Sequence, residues 1–216
     1  MSSYFENERN EVIELLPGQY SSVLEIGCAQ GKFLSALNSE AEKWGVEPNG
    51  EAAEQARSKV ANVLTGTYDQ VKEQIPNNHF DLIICNDVIE HLSDHDEFLK
   101  DIKIKMKSGG VIVGSIPNVR FFPHLVKLLL LKDWKYVDSG ILDSTHLRFF
   151  TEKSLKRTFN DNNYTIENFK GLNTLFGAGF GVKNLVFIFI AMLITVLSLG
   201  THKDILYTQF GFRVKA

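Results

Sequence analysis

Cysteine is almost missing from this chain, with only Cys28 and Cys85 among 216 residues. Two widely spaced thiols are too few for a disulfide framework or a cysteine-built zinc site. Each closes an apolar run, which fits a buried, reduced thiol and a cytoplasmic setting. An excess of basic charge is also missing. Lysine and arginine number 23 against 26 acidic residues, a net charge of −3, so no basic stripe offers itself to phosphates and no nucleic acid partner is expected. Repeats, low-complexity tracts and proline-rich linkers are absent as well. One domain over residues 1–216 is therefore expected, and a chain of this length buries roughly 70 % of its unfolded surface without staples. Residues 1–14 are polar and lack the apolar core of a signal peptide.

A hydrophobic run of membrane-spanning length is the last absence. The longest, Leu185 to Leu199 (LVFIFIAMLITVLSL), would make a helix of about 22 Å, short of the roughly 30 Å hydrocarbon core. Within an apolar helix expected over 184–200, the first reading is burial beneath a sheet. Peripheral contact with a membrane through 185–199 is the second, and a true span the third.

What is present is alternation. Short β-branched runs separated by polar helical stretches predict βαβ units and a parallel sheet. Strands are expected at Ser22 to Ile26, Lys43 to Glu47, Val60 to Thr65, Phe80 to Cys85 and Val111 to Ile116. The Phe80 run is apolar almost throughout, as a central strand buried on both faces must be. Helices are expected at Lys32 to Asn38, Glu51 to Lys59 and Asp94 to Lys107, the last capped by Ser93 or Asp94 and stopped by Gly109 and Gly110. Further on, Phe121 to Asp133 and Glu152 to Asn160 read as helices, the second capped by Thr151. Tyr164 to Phe169 and Leu206 to Val214 read as closing strands.

After the first strand, Glu25 to Gly31 reads EIGCAQG. Small residues let the backbone turn sharply and approach a ligand, and the following helix aims its N-terminal N–H groups at the same place. Glu47, at the end of the second strand, can accept from both hydroxyls of a ribose. A nicotinamide-dependent oxidoreductase would need G-x-G-x-x-G, and Ala29 and Lys32 stand where its second and third glycines belong.

The pattern E-x-G-x-x-x-G, with Glu47, FDLIICNDVIEHLSD (Phe80 to Asp94) and KMKSGGVIVGSIPN (Lys105 to Asn118), resembles the class I S-adenosylmethionine-dependent methyltransferases. That resemblance implies a Rossmann-like α/β fold: a seven-stranded, mostly parallel sheet with helices on both faces and the last strand antiparallel. It implies S-adenosylmethionine as cofactor, with Gly27, Cys28 and Gly31 along its methionine part and Glu25 near its amino group. Glu47 would hold the ribose, Pro48 or Asn49 the adenine, and the Asn86 carbonyl the methionine ammonium. Thr67 stands where the family often has an acid for the adenine amino group, so Thr67, Asp69 or a backbone group takes that contact.

Methyl transfer to a hydroxyl needs alignment and a base. His91 follows Glu90 after the fourth strand. Asp87, Glu90 and His91 resemble a stretch that ubiquinone-pathway O-methyltransferases associate with a metal, although no metal is expected here, and the first reading is a helix start whose residues shape and cap the turn. His146 lies in THLRFFT (Thr145 to Thr151), similar to a signature of bacterial methyltransferases associated with surface glycans. His146 and Arg148 serve the acceptor or pin a lid over it. Arg120, Phe121, Phe122, Trp134, Tyr136, Phe149 and Phe150 suit a sugar or lipid-linked acceptor, or form the lid's own core. The other histidines, His79, His95, His124 and His202, read as surface or loop residues. The expected function is methylation of a small-molecule or glycan hydroxyl, with residues 118–151 as an acceptor-side lid. A non-catalytic or membrane-recruited binding protein of the same fold is the alternative.

Overall fold

Strand and helix alternate through the first half of the chain as the apolar periodicity predicts. The computed structural model describes residues 10–175 and 185–216. Residue 184 and most of the polar N-terminal stretch lie outside the described residues. The elements run α1 (Asn10–Ile13), β1 (Ser22–Ile26), α2 (Lys32–Ala36), β2 (Glu42–Glu47), α3 (Gly50–Arg57), β3 (Asn62–Thr65), α4 (Tyr68–Val71), β4 (Phe80–Asn86), α5 (His95–Lys105) and β5 (Met106–Pro117). The second half adds α6 (Phe122–Leu131), α7 (Glu152–Asp161), β6 (Thr165–Thr174), α8 (Leu185–Leu197) and β7 (Tyr207–Lys215).

The seven strands form one sheet in the order β3-β2-β1-β4-β5-β7-β6. The pairs from β3 across to β5 are parallel, and β7 is antiparallel to both of its neighbours. This is the expected Rossmann-like architecture. Side-chain alternation along β4 explains its two buried faces. Ile83 and Cys85 join a core with Phe98, Leu99 and Ile102 of α5 and Leu155 and Phe159 of α7. Leu82 and Ile84 point the other way, into a core with Leu34 of α2 and Ala53 and Ala56 of α3. Both cysteines are buried free thiols.

Two expectations need correction. Gly109 and Gly110 do not stop α5, which ends at Lys105 and passes directly into β5. The glycines sit at the bulged start of that strand, where its pairing with β4 shifts register between Phe80 and Leu82.

The apolar run does not lie beneath the sheet. It packs one side of α8, through Phe187, Ile188, Ala191 and Ile194, against α6, and leaves Phe189, Val196 and Leu197 at 68 %, 67 % and 75 % exposure. The sheet faces are already covered by the other helices, so no face remains for α8. Among the described residues no helix is long and apolar enough to cross a membrane.

Candidate functional site

The carboxyl ends of β1, β2 and β4 open into a cavity of about 550 Å³, the place where open α/β sheets take ligands. Its floor is the turn after β1. Gly27 has φ of 72° and Gly31 φ of 71°, a region L side chains rarely adopt. A Cβ on Gly27 would meet Val88 at 3.1 Å, and one on Gly31 would meet Ala56 Cβ at 3.1 Å. The Gly27 and Cys28 N–H groups donate to the Val46 carbonyl at 2.8 and 3.0 Å, tying the turn to β2.

Glu47 completes that tie. Its Oε2 accepts from the Ala29 N–H and its Oε1 from the Asn49 N–H, each at 2.8 Å. Glu25, Gly27, Cys28, Glu47, Pro48, Thr67, Asn86 and His91 all line the cavity. Gly31 does not; it starts α2 in the left-handed conformation and packs on α3. Asn49 turns away to cap α3, accepting from the Ala52 N–H, and Asp69 is exposed beside Lys72. Of the positions expected on the adenine side, Pro48 and Thr67 line the cavity, with Gly66 and Tyr68 beside Thr67.

Asn86 is buried, and neither Oδ1 nor Nδ2 has a hydrogen-bond partner among the described residues. A buried amide left unpaired costs stability unless a ligand satisfies it. Charge points the same way. Glu25, Glu47, Asp87, Asp138 and Asp143 line the cavity against Lys32 as the one Lys or Arg among the described residues. Such a lining suits a ligand carrying positive charge and repels a pyrophosphate. Burial, with Glu25 and Glu47 alongside, pushes the Cys28 thiol up, so it is protonated.

Residues 118–151 cover this end. Asp138, Asp143 and Thr145 reach the cavity wall. The backbone N–H groups of Leu147 and Arg148 both donate to the Glu90 carbonyl, at 2.8 and 3.1 Å. Thr145 donates N–H and hydroxyl to Asp143 Oδ1 at 2.8 and 2.6 Å, and its carbonyl and hydroxyl each lie 3.2 Å from His91 Nδ1. Burial first, then His146, lowers the His91 pKa, outweighing Thr145, Asp143 and Asp87, so its ring favours the neutral form.

His146 is 4.7 Å from His91, ring centre to ring centre. Its Nδ1 lies 3.1 Å from the Ile141 carbonyl, the bond of an Nδ1–H tautomer, and its Nε2 is 3.9 Å from Glu90. It lines not the main cavity but an adjoining one of about 130 Å³ with Asp87, Ile141 and Gln209. Donor atoms of Glu90, His91 and His146 lie within 4.8 Å of one another, a carboxylate–imidazole set with the chemistry to hold a divalent ion.

Other candidates bond within residues 118–151 or to their surroundings. Arg120 pairs with Asp204 and His202. Arg148 donates to the Ser93 and Leu147 carbonyls. Trp134 and Phe149 meet edge to face at 5.0 Å, and His124 joins Trp134 at 5.1 Å. None of the six aromatic residues singled out in this segment lines either cavity. His95 and His124 are helical and half-buried rather than loop residues. Asp87 is the position that reading the sequence undervalued. It sits at φ of 51°, held by the Ser115 hydroxyl at 2.8 Å and by Gln209 Nε2 at 2.9 Å from each oxygen, and it borders both cavities. Gln209 arrives from β7 with no local sequence signal.

A family profile described as a methyltransferase domain matches residues 5–168. The ubiquinone biosynthesis O-methyltransferase of Rickettsia bellii is 24 % identical over 180 residues, covering 76 % of this chain and 71 % of that one. That of Bradyrhizobium diazoefficiens is 28 % identical over 156 residues, covering 69 % and 60 %. Among solved structures, a SAM-dependent methyltransferase from Archaeoglobus fulgidus superposes with a TM-score of 0.63 at 22 % identity, covering 96 % of this chain and 90 % of that one. One from Mesorhizobium loti gives 0.63 at 12 % identity, covering 97 % of each.

Proposed function

The chain belongs to the methyltransferase domain family, and on that premise we propose that its cavity binds S-adenosylmethionine for O-methylation of a small acceptor held beneath residues 118–151. The observation that carries the reading is the acidic cradle around an unpartnered Asn86. It fits a ligand that is cationic at its sulfur and amino group and carries a ribose. The missing third glycine, and Lys32 as the single lining lysine among the described residues, argue against a dinucleotide.

Bound S-adenosylmethionine supplies a methyl group already activated by its sulfonium. The chain's residues supply position and a base. Glu47 holds the ribose and the turn together, and Asn86 offers its carbonyl to the ammonium and its amide to the remaining polar edge. Asp143 and Thr145 fix the His91 ring at the cavity wall. His91 takes the hydroxyl proton as the oxygen–methyl bond forms and the sulfur–methyl bond breaks. His146 acts on His91 by contact and is a positioning residue. Glu90, His91 and His146 would also hold a divalent ion, which there would acidify the hydroxyl.

Two acceptor classes have support. The THLRFFT resemblance and the polar lid wall, Asp138, Asp143 and Thr145, suit a sugar hydroxyl of a glycan precursor. The similarity to O-methyltransferases of ubiquinone biosynthesis suits an aromatic hydroxyl acceptor. Buried thiols fit a cytoplasmic enzyme. The test is transfer of labelled methyl from S-adenosylmethionine to sugar and phenol panels. We expect O-methyl product from one panel, persistence in chelator, and a loss of about 10²-fold in turnover for His91→Ala with S-adenosylhomocysteine binding unchanged. Product on nitrogen or carbon would overturn the hydroxyl reading. Loss in chelator with recovery on added magnesium or zinc would move His91 from base to ligand.

A further inference from the structure

The second half of the chain carries a surface that methyl transfer does not use. Among the described residues, every exposed large apolar side chain except Ile13, Ile104, Tyr136, Val137 and Leu147 lies between Leu129 and Leu131 or between Leu185 and Leu199. Leu129, Leu130 and Leu131 are 72 %, 75 % and 70 % exposed, and Leu199 reaches 93 %. The two helices stand together. Phe122 and Phe187 meet edge to face at 6.2 Å, and Leu125, Val126, Ala191 and Ile194 share one small core. Both helices of the pair leave large apolar side chains exposed away from their shared core, unlike the scattered exposed residues of ordinary surfaces.

The roots of this pair are fixed. Asn118 Nδ2 donates to the Asp204 and Tyr207 carbonyls at 2.8 and 2.9 Å, and Arg120 pairs with Asp204. These bonds fasten the chain before α6 to the turn that follows α8. Because β5 ends at Pro117 opposite Gln209 of β7, the face stands at the same end of the sheet as the main cavity.

Charge selects the occupant. Neither α6 nor α8 contains an acidic residue. Exposed Lys127, Lys132 and Lys135 on or just after α6, and Lys203 just after α8, stand against exposed Asp133 and Asp138, in a chain whose net charge is −3. A second copy docking symmetrically would set these lysines against one another. A bilayer surface with anionic headgroups would not. We propose that the α6–α8 face docks the protein on an anionic lipid surface, the helices lying in the interface with the lysines at headgroup level. At thirteen residues α8 is about 20 Å long, suited to lie in that plane. Docking turns the cavity end of the sheet toward the lipid. The inference stands on the surface alone and does not depend on the acceptor.

Flotation of the full chain in a density gradient tests it, with vesicles of phosphatidylcholine plus phosphatidylglycerol and vesicles of phosphatidylcholine alone. The chain is expected to float with the mixed vesicles, and several-fold less with phosphatidylcholine alone or in high salt. A Leu130→Glu, Phe189→Glu, Val196→Glu variant should remain at the bottom while keeping the thermal transition of the parent, since all three side chains are exposed. The proposal is overturned if the parent fails to float with either vesicle, or if the variant floats equally. It is also overturned if sedimentation without lipid shows a dimer that the variant abolishes, because a second copy then covers the face.

Discussion

A carboxylate oxygen has two lone pairs, so Glu47 can accept from the Ala29 and Asn49 N–H groups and still receive two ribose hydroxyls. In the proposed ribose role the two duties would be linked: the loop bonds hold the carboxylate still, and ribose bonds would then need no reorganisation. Glu47→Ala removes both. We expect the dissociation constant for S-adenosylhomocysteine to rise about 10- to 100-fold, on the scale of the ~1.5–3 kcal/mol of a charge-assisted hydrogen bond. Calorimetric titration measures it, and an unchanged constant would remove Glu47 from the ribose role. Residue type and spacing made this position legible, because Glu47 closes a strand just as Gly27 follows one. Asp87 was less legible. Its importance comes from Ser115 and Gln209, and neither partner is near it in sequence.

The Thr145 to Thr151 segment shows how one sequence signature divides its work among elements. Thr145 holds His91, Leu147 and Arg148 pin the segment to Glu90, and Phe150 bridges to Asn118. Thr151 belongs to α7. Its hydroxyl accepts from the Ser154 N–H at 3.1 Å, and the Ser154 hydroxyl accepts from the Thr151 N–H at 2.9 Å, a reciprocal cap. Thr151→Ala should cost about 1 kcal/mol, seen as a melting temperature lower by roughly 2–4 °C, with S-adenosylhomocysteine binding intact. Loss of binding at unchanged stability would make Thr151 part of the site instead. The cap was readable beforehand because a hydroxyl directly precedes the amphipathic run. The placement of α8 was not readable. An uncharged run says that water is unfavourable, but only the occupancy of both sheet faces by other helices shows that α8 has no covered place.

Across the whole molecule the sheet separates carboxylates with opposite uses. At the carboxyl ends the carboxylates face a cavity. At the other end Asp81 is absorbed by structure: its Oδ2 accepts from the Ser21 N–H and hydroxyl at 2.9 and 2.7 Å, the Ser22 N–H and hydroxyl at 3.1 and 3.0 Å, and Lys107 Nζ at 3.1 Å. These groups join the entry to β1 with β4 and β5, the three central strands. Burial acts to raise the Asp81 pKa, but the Ser21 hydroxyl and N–H, Lys107 and Ser22 outweigh it and hold the carboxyl well below the usual range. The folded state thus binds the proton more weakly than the unfolded chain, whose Asp titrates at about 3.9. The stabilisation is fully present above that value and is lost as pH falls toward the folded-state pKa. Urea midpoints measured from neutral pH downward should therefore decline below about pH 4–5, and Asp81→Asn should flatten that part of the decline. A parallel decline in parent and variant would show that the proton is taken up elsewhere and that the Asp81 network does not hold the three strands in acid.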